Sequence, residues 1–240
     1  MPGGGPHPKD VELFSDEALP TLRAAAAELR FLRERGYGAE QAVELVGNRH
    51  QLRDRQRQAL LRATSSAEGV SARAAARAAA AAPAALWIDG LNVVITVETA
   101  LRGGVLVTTV DGGLRDLAGV HGTYRPDDTT DEALRRVAGL LAARGWERVP
   151  TTWYLDAPVS NTGRLAARLR DVAADRGLPW SSEVVPDADA ALALAPAGVV
   201  VASGDAPVLD RVAAAGRGWL DLGGDTVRAA VPDAWIVALV

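Results

Sequence analysis

The sequence predicts an α/β protein in which a small all-α helical module precedes a three-layer α/β/α sandwich with a mostly parallel sheet. From residue 86 onward, short apolar strands alternate with amphipathic helices, as is typical of a parallel sheet covered on both faces. Before residue 65, apolar residues recur only at helical spacing. Several of the predicted strands end in an aspartate. Because ligands of open parallel sheets bind beyond the carboxyl ends of the strands, these acids are expected to share one site.

The bulk composition excludes several classes of protein. A net charge of −4 argues against a globally basic nucleic-acid binder, so any such contact must come from a local patch. The absence of cysteine excludes disulfides, thiolate zinc sites and cysteine nucleophiles. The first residues lack the apolar core of a signal peptide, and the longest apolar run, 190–202, is shorter than the ~20 residues of a membrane span. We therefore expect a cytoplasmic protein without membrane contact.

The N-terminal part is predicted to hold a disordered tail, 1–15, and a helical module, 16–64, with three short helices. Tight turns between the helices are typical of a helix-turn-helix bundle, whose third helix would read nucleic acid. Arg49, Arg53 and Arg57 stand four residues apart and are expected to line one side of that third segment. Such a stripe fits phosphate contact, or equally a solvated face in a chain whose basic residues are almost all arginine.

The remaining chain is predicted to comprise a connector and one α/β domain. The alanine-rich segment 65–85 is expected to form a semi-rigid spacer between the two parts. The α/β domain covers 86–240 and includes an insertion, 97–125, that interrupts the alternation. Within it, 105–110 is predicted to be an extra strand of a hairpin. The later strands are predicted at 151–155, 183–185, 198–202 and 219–222.

The segment from Leu86 to Asn92 is the most informative, because it places Asp89 and Asn92 where an apolar strand ends. Three further predicted strands are followed by Asp156, Asp187 and Asp205. Phosphodiester hydrolysis commonly uses a cation, and clustered carboxylates supply the oxygen ligands that Mg²⁺ or Mn²⁺ prefers. Each acid by itself could also be a turn former or a helix cap. Their repetition at corresponding strand ends favours a shared metal site.

These motifs resemble those of the PIN-like nucleases, particularly the NYN branch. The similar segments are Ile88-Asp89-Gly90-Leu91-Asn92-Val93, Tyr154-Leu155-Asp156, Asp187 with Asp189, and Ser203-Gly204-Asp205. The resemblance implies a sandwich whose first and fourth strands are neighbours, with a divalent-metal ribonuclease site. In that site Asp89, Asp156, Asp187 and Asp205 hold Mg²⁺ or Mn²⁺, and Asn92 orients a water or a substrate oxygen.

The whole chain also resembles a group of uncharacterised bacterial and archaeal proteins that join a small helical module to a PIN-like half. The shared segments cover residues 44–49, 96–98, 116–122 and 156–163. By the resemblance to PIN-like sites, Glu98 is a further candidate metal ligand.

The insertion and one strand end add further candidates. His121 is a candidate proton donor to a leaving oxygen, or else a histidine packed under the insertion, and Arg115 or Arg125 is a candidate phosphate ligand. Ser160 and Asn161 are candidate phosphate ligands, or else only cap a helix. The acids of the insertion, Asp111 and Asp116, fit either a site or a turn that binds its own backbone.

Other enzyme classes do not fit the sequence. A phosphatase with an aspartate nucleophile needs a second aspartate where Leu91 stands and a lysine near the site, whereas the only lysine is Lys9. A P-loop fails for the same reason, and no dinucleotide-binding glycine motif opens a helix. Two functions remain open: a metal-dependent ribonuclease with a nucleic-acid-binding helical module, or a non-catalytic nucleic-acid-binding or regulatory protein. RNA is the expected partner and DNA a second candidate, with a homodimer or a protein partner through the helical module as a further possibility.

Overall fold

The computed structural model describes residues 5–65, 67–77, 82–118 and 124–240. Its first four helices are α1 (Asp10–Leu13), α2 (Leu19–Glu34), α3 (Ala39–Arg49) and α4 (Asp54–Ala63). The following elements are α5 (Ala67–Ala76), β1 (Ala85–Asp89), α6 (Gly90–Leu101), β2 (Leu106–Thr108), β3 (Leu114–Asp116), α7 (Asp128–Ala143), β4 (Thr151–Asp156), α8 (Thr162–Arg176), β5 (Trp180–Val185), α9 (Ala188–Ala193), β6 (Val199–Ala202), α10 (Ala206–Ala214), β7 (Gly218–Leu220), α11 (Leu222–Ala230) and β8 (Ile236–Ala238).

The N-terminal region is helical, as the spacing of its apolar residues predicts. Leu22 and Leu29 lie two turns apart on α2 and pack with Leu60 of α4 in a fully buried cluster. The predicted tail differs from the structure, because residues 10–13 form α1. Asp10 is buried there and accepts hydrogen bonds from the Arg55 guanidinium. Residues 1–4 of that predicted tail lie outside the described residues.

The α/β part contains a five-stranded parallel sheet in the order β5-β4-β1-β6-β7. Helices α6, α7, α8 and α11 contribute to the buried cluster on one face, and α9 and α10 to the cluster on the other. The predicted mostly parallel α/β architecture is therefore confirmed at the level of fold class. From β1 the chain continues to β4 and β5 on one side, and then crosses to β6 on the other. The carboxyl ends of β1 and β6 thus form the topological switch point, where such sheets bind ligands.

A second, three-stranded sheet has the order β3-β2-β8 and joins the two parts of the chain. Strands β2 and β3 form the hairpin expected within 97–125, whereas residues 97–101 of that insertion belong to α6. Strand β8 comes from the apolar C-terminal tail and pairs with β2 in parallel. Val107 and Val237 of this sheet are buried in the same cluster as the helical module. The helical module therefore packs directly against the small sheet.

The segment predicted as a spacer is docked against the α/β part. Helix α5 lies against α10, and Arg73 of α5 is fully buried. Its guanidinium Nε donates to Asp111 at 2.7 Å, and its Nη1 to Asp210. The backbone carbonyl of Arg73 accepts from Nε1 of the buried Trp219 at 2.7 Å. The alanine-rich composition predicted helix in this segment but not its docking.

Within the described residues, no helix combines the length and the apolar character that crossing a membrane requires.

Candidate active site

Asp89 lies at the centre of the site because β1 is the middle strand of the sheet and ends at this residue. Its carboxylate is buried and caps α6 by accepting from the backbone N–H of Asn92 at 3.3 Å. The second carboxylate oxygen accepts from the Ser203 hydroxyl at 2.8 Å. Asp89 is therefore held from both strands of the switch point, which fixes its position more tightly than a helix cap alone.

The loop after β6 approaches α6 through the Asn92 side chain. Asn92 Oδ1 accepts from the backbone N–H of Gly204 at 2.6 Å. A Cβ at Gly204 would lie only 2.7 Å from that oxygen, so a larger residue here would displace the Asn92 side chain. The predicted role of Asn92 was to orient a water or substrate oxygen. In the structure its carbonyl oxygen fixes the loop that carries Asp205, and the orienting role stays a prediction.

Asp205 stands at the first turn of α10 but its carboxylate makes no capping hydrogen bond to that helix. Its backbone N–H donates to Ser203 Oγ at 3.0 Å, so the Ser203 hydroxyl links Asp89 and Asp205. The helix-cap explanation, which holds for Asp89, therefore does not account for Asp205. The carboxylate of Asp205 is half-buried at the switch point.

Asp156 and Asp189 complete a group of four acids, which we call the acidic cluster: Asp89, Asp156, Asp189 and Asp205. Asp156 ends β4 and its Oδ1 accepts from the N–H of Ala188 at 2.8 Å, which draws α9 towards β4. Asp187, predicted as a metal ligand, is exposed and caps α9 by accepting from the N–H of Ala190 at 2.9 Å. Asp189, in the first turn of that helix, interacts electrostatically with Asp89, as Asp156 also does.

Burial and like charges disfavour ionisation in the acidic cluster. Burial raises the pKa of Asp89 to about 7, opposed by the Ser203 hydrogen bond and supported by the nearby Asp189 and Asp156 carboxylates. Burial also raises the pKa of Asp189, with further contributions from Asp205 and Asp156. Four carboxylates that repel one another are a strong electrostatic reason for a cation to bind among them.

The donor chemistry of the acidic cluster fits a hard divalent cation, since all four side chains offer carboxylate oxygens. Across residues 5–65, 67–77, 82–118 and 124–240, however, no three acidic or histidine side chains are close enough to hold one metal ion. Metal binding at the acidic cluster would therefore require side-chain rotation. No capping hydrogen bond holds the Asp205 carboxylate against such a rotation.

Arg115 reaches the site from β3. Its guanidinium Nη1 donates to the Leu114 carbonyl at 2.8 Å and lies 3.7 Å from the buried carboxylate of Asp221. Arg115 Nη2 is buried without a hydrogen-bond partner among the described residues. A Cβ at Gly204 would lie 3.2 Å from Nη1, so Arg115 packs against the loop that carries Asp205. The predicted phosphate ligand is thus beside the acidic cluster.

The other acids of the insertion serve the fold. Asp111 pairs with Arg73 and accepts from the Thr109 hydroxyl. Asp116 accepts from the N–H of Ala118 at 2.9 Å, the backbone-binding role that was open in the sequence. Glu98 lies nine residues beyond Asp89, about 13 Å along α6, and accepts from the Tyr124 hydroxyl at 2.7 Å. That distance separates Glu98 from the acidic cluster.

The remaining predicted residues lie elsewhere or outside the description. Asn161 precedes α8 in the left-handed region, with φ of 66°, and its amide donates to the Tyr124 carbonyl at 2.7 Å without capping the helix. Ser160 is exposed beside it. His121, predicted as a proton donor, lies outside the described residues.

The three arginines of the helical module do not form the expected stripe on one helix. Arg49 ends α3 and is 3.5 Å from Glu28, whereas Arg53 precedes α4. Arg57, inside α4, donates to the Leu52 carbonyl at 3.0 Å and to Asn48 at 2.9 Å. The turn between α3 and α4 breaks the helical repeat that their spacing suggested, and Arg57 stabilises that turn.

Two families match this chain. Residues 78–224 match the family described as a domain of unknown function, DUF5616. The chain belongs to this family. Residues 21–75 match a second family, described as a protein of unknown function, DUF434, so the chain has a two-part architecture. It is similar to the uncharacterized protein MJ0935 of Methanocaldococcus jannaschii, with 28% identity over 153 residues, covering 63% of this chain and 72% of the relative. No solved structure matches the chain.

The raised pKa of Asp89 predicts how Asp89→Asn changes stability with pH in the absence of divalent metal. An unfolded aspartate titrates near 3.8 and folded Asp89 near 7. Between these pH values the folded chain holds the proton that the unfolded chain releases, so Asp89 costs increasing stability as the pH rises. Asparagine cannot ionise. The gain in unfolding free energy from Asp89→Asn is therefore expected to be about 2–3 kcal/mol larger at pH 8 than at pH 5.

Urea unfolding in excess chelator at the two pH values measures this difference. Asp175→Asn, at an exposed position of α8, is the matched control and is expected to show no such pH dependence. An equal effect of Asp89→Asn at pH 5 and pH 8 would contradict the raised pKa.

Proposed function

We propose that the chain is a cytoplasmic, divalent-metal-dependent phosphodiesterase that cleaves RNA, and that its α/β part has a PIN-like architecture. The observation that supports this most directly is the position of the acidic cluster at the switch point between β1 and β6. Counted in chain order within the five-stranded sheet, β1 and β6 are the first and fourth strands. They are neighbours in the sheet, as the resemblance to PIN-like nucleases implies. The residues of that resemblance lie together on this edge.

The residues of the site would divide the work as follows. Asp89 and Asp205, with Asp156 and Asp189, would hold the cation. When bound, Mg²⁺ or Mn²⁺ supplies charge neutralisation for the phosphate oxygens and lowers the pKa of a water molecule. Ser203 keeps Asp89 oriented. Asn92 and Gly204 keep the loop of Asp205 against α6, so that Asp205 stays close to Asp89.

One observation favours a second candidate, a non-catalytic nucleic-acid-binding protein. Among the described residues no three acids are already close enough to ligate one ion. A chain that had lost catalysis would keep the sheet and its loops without needing that convergence.

Incubation of the full chain with single-stranded and structured RNA in Mn²⁺ or Mg²⁺ decides between the two. We expect cleavage that depends on the metal and stops in excess chelator. Cleavage that persists in chelator would exclude the metal mechanism. Absence of cleavage of every RNA, with RNA binding retained, would support the non-catalytic protein.

A further inference from the structure

A cleft of about 490 Å³ lies between the helical module and the carboxyl edge of the five-stranded sheet. We call it the interface cleft. Its walls include Arg33 and Arg62 from the helical module, Arg115 from β3, and Gly204 and Asp205 from the loop after β6. Its volume is within the ~300–1,000 Å³ of ligand clefts. Asp205 thus borders both the acidic cluster and the interface cleft.

The helical module contributes two cations to the interface cleft, Arg33 and Arg62. Arg62 is exposed at the end of α4 and makes no ion pair with any described residue. Arg33 donates to the Thr64 carbonyl at 2.6 Å. Burial and the nearby Arg73 guanidinium lower the pKa of Arg33, so an added anion would be favoured beside it.

Two further donors lie at the inner end of the interface cleft. Helix α10 spans nine residues, and the N–H groups of Ala206 and Val208 in its first turn have no side-chain cap from Asp205, whereas Pro207 has no N–H. Such a terminus attracts anions. Independently, the buried Arg115 carries Nη2 without a described hydrogen-bond partner. Unpartnered guanidinium nitrogens and free helix N–H groups are both suited to phosphate oxygens.

The acids that line the same cleft do not cancel this arrangement. Asp210 is paired with the buried Arg73, and Glu40 is exposed at the first turn of α3. Asp205 belongs to the acidic cluster, where a cation would neutralise it. The interface cleft therefore offers phosphate-binding groups beside a metal-binding edge, the combination that a phosphodiester substrate requires.

We propose that the interface cleft binds a single-stranded RNA segment, whose phosphates contact Arg62 and Arg115 while the scissile phosphate lies beside Asp205. This inference rests on the proposed function and adds to it that the helical module forms one wall of the substrate site. A flexible single strand can bend into a cleft of this size, whereas a duplex presents a rigid surface. The phosphate contacts come from the face of Arg62, and not from Arg49, Arg53 and Arg57.

The test measures RNA binding without cleavage. Fluorescence anisotropy of a labelled 12-nucleotide oligouridylate gives the Kd of the full chain at several salt concentrations. Every chain carries Asp205→Asn and is measured in excess chelator, so that neither cleavage nor the charge of Asp205 affects binding. Arg62→Gln is expected to weaken binding about threefold to tenfold and to reduce the slope of log K against log salt by about 0.7, the effect of one lost phosphate contact on a single strand. Arg62→Glu is expected to weaken binding further. Arg170→Gln, an exposed arginine of α8, is the matched control and is expected to bind like the chain with Asp205→Asn alone.

Unchanged affinity and slope in both Arg62 variants would overturn the proposal, as would equal weakening by Arg170→Gln or equal, Arg62-dependent binding of double-stranded RNA. Failure of the proposed function gives a different result. RNA binding that depends on Arg62, without cleavage of any RNA, would support the interface cleft and contradict the proposed catalysis. Cleavage of RNA with an unchanged KM in Arg62→Gln would support the catalysis and contradict the role of the interface cleft.

Discussion

Asp205→Asn is expected to reduce metal-dependent RNA cleavage by about 100-fold or more while leaving the fold intact. The carboxylate of Asp205 makes no capping bond to α10, so its removal breaks no described hydrogen bond of the side chain. It also relieves repulsion with Asp189, which makes a large loss of stability unexpected. What it removes is a negatively charged metal ligand, and neutral amides hold divalent cations far less well in an acid-based site.

Cleavage rates in Mn²⁺, compared with those of Asp175→Asn, measure this effect. A second measurement does not depend on activity. Mn²⁺ is expected to raise the midpoint of thermal unfolding of the wild type more than that of Asp205→Asn, because a ligand that binds only the folded state stabilises it. Full cleavage by Asp205→Asn would mean that other residues carry the reaction. Equal metal-induced shifts would place the cation elsewhere.

Arg73→Met is expected to lower the free energy of unfolding by about 3–5 kcal/mol. Arg73 is fully buried and pairs with Asp111, whose side chain is 3% exposed. Removing the guanidinium takes away the ion pair of a buried carboxylate and leaves Asp111 with the Thr109 hydroxyl and the charge of Arg115. The pair with Asp210 contributes less, because that side chain is 50% exposed and screened by water.

Urea unfolding of Arg73→Met beside Arg170→Met measures the loss, since the second variant removes an exposed arginine. Adding Asp111→Asn to Arg73→Met is expected to recover part of the stability, because the uncompensated charge is then gone. A loss below about 1 kcal/mol for Arg73→Met would mean that the buried ion pair is close to neutral in its net contribution.

The strand ends were the most predictable part of the site. Asp89, Asp156 and Asp205 each follow a short apolar run, and parallel strands bring their carboxyl ends to one edge without further information. Asp189 was harder to rank against Asp187. Its role depends on how α9 begins. Asp187 precedes the helix and caps it, whereas Asp189 lies in the first turn and interacts electrostatically with the other acids of the cluster.

The periodicity of the sequence does not predict two features of the structure. Residues 91–97 are apolar almost throughout, so they did not distinguish a buried helix from a strand, and α6 extends into the predicted insertion. The docking of the helical module depends on Val107 and Val237, which come from two short strands far apart in the chain. Alternation within three residues is too short to indicate which partner covers a strand.

The parallel pairing of β2 with β8 joins parts of the chain that are far apart in sequence. Leu106 pairs with Ile236, 130 residues further along. Removing β8 would leave every strand of the five-stranded sheet in place, since β7 ends at Leu220, but β2 would lose its parallel partner. The helical module would lose its contact with the buried Val237. Loss of β8 would therefore disturb the interface cleft while the acidic cluster kept the sheet that carries it.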